Sequence, residues 1–130
     1  MSFSKSLKQK AIKVWEDGYN HPFVQELGAG TLSKDKFKFY LLQDYLYLLE
    51  YAKVFAMALT KADDEKMLSN LSAITKATLV DEMKLHHLYM KEFGISDEEV
   101  QNVRASLFNR TYTANMLATA LKGDLAQTLA

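Results

Sequence analysis

Cysteine is absent from the 130 residues, proline occurs once and glycine five times. The missing cysteine excludes disulfides and thiolate metal sites, and it removes thiol nucleophiles from the chemistry open to these residues. No charge of one sign dominates: 16 Lys and Arg stand against 16 Asp and Glu, a formal net charge of zero. Such a chain has no electrostatic footprint for nucleic acid or for an anionic membrane surface. No uncharged apolar run approaches the ~18 residues of a membrane span. The opening residues MSFSKSLKQK lack the apolar centre of an export signal. The cytoplasm is therefore the expected location, with neither membrane nor nucleic acid as a partner.

What is present is helical periodicity, in a length that fits one domain over residues 1–130. A first helix is expected from about Ser4 to Tyr19, burying Leu7, Ala11, Val14 and Trp15. Pro22 at an N1 position starts a short second helix that stops in Gly28-Ala29-Gly30. Ser33 caps a long third helix to about Lys61, and Asp63 or Asp64 caps a fourth that runs to about Phe93 and ends at Gly94. The run Ser96-Asp97-Glu98-Glu99 has the capping-box pattern of a short helix. A further helix spans about Phe108 to Lys122, and Gly123 ends it. Asp124 caps a start, DLAQTLA, too short to be stable alone, so the chain reads as a helical bundle truncated after about six helices. Clustered turn signals and the lack of repeats or linkers fit short connections between antiparallel helices.

The long third helix carries a carboxylate where packing alone would place leucine. At 100° per residue, Phe37, Tyr40, Leu41, Tyr47, Leu48, Tyr51 and Phe55 fall within about 60° of Asp44, so Asp44 is expected to point inward. A carboxylate away from water is unfavourable unless paired or hydrogen-bonded. One ringed by tyrosines suits a flat, nitrogen-rich ligand, and the alternative is satisfaction by tyrosine hydroxyls or by a basic residue from another helix. The fourth helix repeats the pattern. Glu82 sits at the centre of a stripe formed by Met67, Leu68, Leu71, Ile74, Thr78, Leu79, Leu85, His86, Tyr89 and Phe93, and His86 four residues on is placed to hydrogen-bond it. That pair reads either as a polar brace between helices or as a ligand or metal contact.

Tyr112, on a stripe with Phe108, Asn115, Met116 and Thr119, is a candidate aromatic wall or phenol donor, or simply core. His21 before Pro22 reads as a backbone-bonding residue at a helix start. His87 lies near 140° from Glu82 and should face solvent.

The order HPFVQELGAGTL (21–32), DKFKFYLLQDYLYL (35–48), AKVFAMAL (52–59), DEMKLHHLYMKEFGIS (81–96) and RTYTANMLATALKGDLAQTLA (110–130) resembles the bacterial TenA proteins, also called thiaminase II. The likeness runs from about Trp15 to Ala130, and its most specific part is FK-x-Y-x-x-QD-x-x-YL at Phe37 to Leu48. The resemblance implies an all-α, haem-oxygenase-like bundle and an aminopyrimidine aminohydrolase of thiamine salvage. That enzyme converts 4-amino-5-aminomethyl-2-methylpyrimidine, and thiamine, to hydroxymethylpyrimidine. It implies no cofactor and no metal, a small aminopyrimidine as partner and a homotetramer. Carried over, Asp44 accepts pyrimidine N–H groups and is the catalytic candidate, Tyr47 hydrogen-bonds near the scissile carbon, and Tyr112 packs on the ring. Glu82, His86, Tyr40 and Tyr51 match supporting positions. The family attacks the ring with a cysteine placed shortly after the point where this chain stops, and a glutamate near the family's C-terminus handles protons. Neither lies among these 130 residues, so the chain alone is expected to be inactive. Two alternatives stand beside this reading. One is a non-enzymatic pyrimidine-binding or regulatory protein. The other is a helical di-metal oxidase, which would need Glu-x-x-His spacing and a second Glu-His set that the sequence lacks.

Overall fold

In a computed structural model describing residues 2–130, all regular structure is helical. The chain divides into two compact units, one ending at Phe37 and one spanning Lys38–Ala130. No described helix is long and apolar enough to cross a membrane.

In the first unit the expected single helix is broken. Helix α1 (Phe3–Lys10) and α2 (Ile12–Tyr19) are separated by Ala11, whose ψ of 10° departs from the helical value and whose amide is shared between the carbonyls of Leu7 and Lys8. That sharing tightens the last turn of α1. Helix α3 (Pro22–Gly28) starts as expected: His21 Nδ1 accepts the Phe23 amide at 3.2 Å. The expected burial of Leu7, Val14 and Trp15 is not found. Trp15 is 63% and Val14 73% exposed, and no described residue up to Phe37 is buried. Periodicity marks a face that can be covered, and burial needs an element that covers it.

The second unit is built on α4 (Lys34–Leu59), which contributes Leu41, Leu48, Ala52, Val54 and Ala58 to the core. Asp64 caps α5 (Glu65–Lys76) by accepting the Met67 amide at 2.8 Å. A π-helical segment (Ala77–Glu82) then joins α5 to α6 (Met83–Glu92). The expected uninterrupted helix to Phe93 is thus re-phased in its middle. Leu71 is buried before the segment and Thr78 at its start, but Met83 and Met90 are buried after it. An unbroken 3.6-residue period from Leu71 and Thr78 would have turned Glu82 and Leu85 inward. The wider π turn spends one extra residue, so both become exposed and His86 swings toward the core. This corrects the expectation of an inward Glu82.

Gly94 adopts the left-handed φ of 66° that ends α6. Ser96 and Glu99 form the expected capping box of α7 (Asp97–Asn102). Helix α8 (Leu107–Lys122) is capped by Ser106, and α9 (Leu125–Leu129) by a second box of Asp124 and Gln127. Gly123 between them is required by close approach. A Cβ there would lie 2.8 Å from both Gln127 Oε1 and the Thr119 carbonyl. Lys61 closes this corner, its ammonium donating to the carbonyls of Ala120 and Gly123 at the C-terminus of α8.

Candidate functional site

The polar part of the site begins with one oxygen. Asp44 Oδ2 accepts the Tyr40 hydroxyl at 3.2 Å and lies 3.0 Å from His86 Nε2. Asp44 is partly buried, its side chain 23% exposed, rather than fully inward; His86 is 12% exposed. The contact to His86 is an ion-pair distance without hydrogen-bond alignment, since Nε2 is buried and makes no aligned hydrogen bond. The expected Glu82–His86 pair gives way to an Asp44–His86 pair. Asp44 thus meets both a tyrosine hydroxyl on its own helix and a histidine from another.

One turn further along α4 the aromatic part follows. Tyr47 stacks on Tyr51 with ring centres 5.4 Å apart at 25°, and meets Tyr112 of α8 at 5.9 Å and 35°. Tyr51 in turn meets the edge of Phe55 at 4.9 Å. These rings line one end of a cleft of about 470 Å³, whose other end carries Asn115, Thr119 and Gln127. Its walls can take a flat ring by stacking and hydrogen-bond its edge, the usual composition of a small-molecule site. A wider, shallower depression of about 590 Å³ at Ala118, Lys122 and Gly123 lacks aromatic walls. Tyr112 is 59% exposed, so it is a wall of the cleft rather than core. His87 is exposed as expected, near the Tyr45 ring.

Burial first, and then the Asp44 charge with its hydrogen bond, push the Tyr40 phenol up to about 12. Burial first, then Tyr112, Tyr51, Asp44 and Glu82, do the same to Tyr47. A phenol that holds its proton more tightly folded than unfolded contributes stability that is complete below its unfolded value of 10 and is lost as pH rises toward about 12. Alkaline titration followed by phenolate absorbance should accordingly show two late-ionising tyrosines. Tyr47→Phe should remove one and Asp44→Asn should advance the other; an unchanged curve in both variants would separate these phenols from Asp44.

Sequence reasoning passed over Gln43. Its Nε2 donates to the Arg104 carbonyl at 3.0 Å, and its Oε1 accepts the Ser106 amide at 2.8 Å. Asn109 Nδ2 donates to the Gln43 carbonyl at 2.8 Å. This network fixes the loop that launches α8, and so the position of Tyr112. The signal was an amide side chain inside an apolar helix, about 100° around the axis from Asp44. Among the described residues, no group of three His, Cys, Asp or Glu side chains is arranged to hold a metal ion.

With this geometry in view, the comparisons with known proteins are consistent. A profile of the TENA/THI-4/PQQC family matches residues 8–130. An aminopyrimidine aminohydrolase from Helicobacter pylori is 45% identical over the whole chain, which covers 60% of that protein. Another from Halalkalibacterium halodurans is 46% identical over the whole chain, which covers 58% of it. A solved TenA homologue from P. horikoshii superposes with a TM-score of 0.92 at 31% identity, over 99% of this chain and 60% of its own. The chain thus spans about 60% of the length of these relatives. It belongs to the TENA/THI-4/PQQC family and has that family's all-α, haem-oxygenase-like fold.

Proposed function

We propose that the chain forms the pyrimidine-binding part of an aminopyrimidine aminohydrolase of the thiaminase II type. Its reaction removes ammonia from 4-amino-5-aminomethyl-2-methylpyrimidine, or the thiazole from thiamine, and leaves hydroxymethylpyrimidine. The observation that carries the proposal is the Asp44 carboxylate, held at one oxygen by Tyr40 and His86, one helical turn from the Tyr47–Tyr112 aromatic walls. In this reading the other oxygen, Oδ1, accepts an N–H of the aminopyrimidine. Tyr47 and Tyr112 stack on the ring, and Tyr51 backs Tyr47. The resemblance extends the proposal to a cytoplasmic homotetramer without cofactor.

Calorimetric titration with 4-amino-5-hydroxymethyl-2-methylpyrimidine tests it. Binding is expected, and an analogue with hydrogen in place of the 4-amino group should bind on the order of tenfold more weakly, because Asp44 then faces no donor. Equal affinity for the two would remove Asp44 from ligand recognition.

A further inference from the structure

We infer that His86 is the positioning residue of this site: it holds the Asp44 carboxylate so that Oδ1 faces the ligand. The inference rests on Asp44 being the pyrimidine contact. Three observations converge on it. First, both contacts on the carboxylate fall on the same oxygen, Tyr40 Oη at 3.2 Å and His86 Nε2 at 3.0 Å. A carboxylate gripped at Oδ2 from two sides has its rotation about Cβ–Cγ restricted, and Oδ1 is left as acceptor. Second, Nε2 is buried and makes no aligned hydrogen bond. A buried ring nitrogen left that way is unfavourable, and the nearby anion compensates it only if Nε2 carries a proton, because a bare lone pair would repel the carboxylate. Third, His86 reaches Asp44 only because the π segment re-phases the helix ahead of it. π turns of this kind recur at functional sites.

Asp44 and Tyr40 face His86 from α4, Tyr47 on the same helix is coupled to Asp44 and Glu82, and Glu82 precedes His86 by four residues at the end of the π segment. The adjacent His87 instead lies 6.1 Å from the Tyr45 ring and cannot substitute for it.

The test compares the chain with its His86→Leu, His86→Gln and Asp44→Asn variants, each checked for helical content by circular dichroism. The probe is 4-amino-5-hydroxymethyl-2-methylpyrimidine. His86→Leu should weaken binding on the order of tenfold by releasing the carboxylate. His86→Gln, which restores a donor, should recover most of the affinity. In ring 15N spectra, Nε2 should carry the proton, and its resonance should move in Asp44→Asn. If Asp44→Asn binds poorly while His86→Leu retains the original affinity, the inference fails and Asp44 keeps its role. If Asp44→Asn binds as the original chain does, the pyrimidine reading itself fails. An Nε2 resonance unmoved by Asp44→Asn overturns the inference irrespective of ligand.

Discussion

Asp44→Asn is expected to weaken aminopyrimidine binding about thirtyfold while leaving the melting transition nearly in place. The substitution keeps the shape and one oxygen, so Tyr40 can still donate to it and the partly exposed position loses little packing. What disappears is the charge. An N–H bonded to a carboxylate contributes about 1.5–3 kcal/mol against roughly 1 kcal/mol for a neutral acceptor. A wrongly oriented amide would in addition present its own N–H to the ligand's. About 2 kcal/mol lost corresponds to the thirtyfold change. Calorimetry paired with thermal unfolding measures both quantities. A lower melting temperature with unaltered affinity would make Asp44 a brace for His86 and nothing more.

The second large effect is a complete one. Purified residues 1–130 should release no ammonia from 4-amino-5-aminomethyl-2-methylpyrimidine at neutral pH. Displacing an amine through addition to the ring needs a nucleophile that both adds and leaves, and no cysteine is present. Two of the phenols at the proposed site, Tyr40 and Tyr47, have their ionisation pushed up to about 12, mainly by burial, and are still poorer nucleophiles at neutral pH than free tyrosine. Ammonia detection after long incubation decides the matter. Release above the buffer blank that vanishes in Asp44→Ala would place the chemistry within these 130 residues.

Much of this was legible beforehand because helix punctuation is local. Pro22, Asp64, Ser96, Gly94 and Asp124 each act through bonds within a few residues of themselves, and each marks the boundary expected of it. The gathering of Tyr47 and Tyr51 was equally plain from a single period along α4. Three things were not legible. The break at Ala11 has no breaker residue to announce it. The π segment, ATLVDE, is composed of ordinary helix-compatible residues, and its extra residue is visible only in which side chains end up buried. Pairing across helices was inaccessible for the same reason. Glu82 and His86 look like partners at a spacing of four, and only the altered phase gives His86 to Asp44. Gln43 escaped notice because its partners lie more than 60 positions away in sequence.

The π segment also changes which genetic lesions are dangerous. Deleting any one residue from Ala77 to Glu82 would remove no side chain named in the site except Glu82 itself. The rod could then relax into an unbroken α-helix, and everything after it would turn by about 100° relative to α5. If α5 kept its seat through Leu71, His86 would leave Asp44 and Met83 would leave the core. The segment acts as a phase-setting spacer: its length carries the information, and the identity of its residues matters far less. A reading frame that loses three nucleotides there would encode nearly every residue of the site and still part His86 from Asp44.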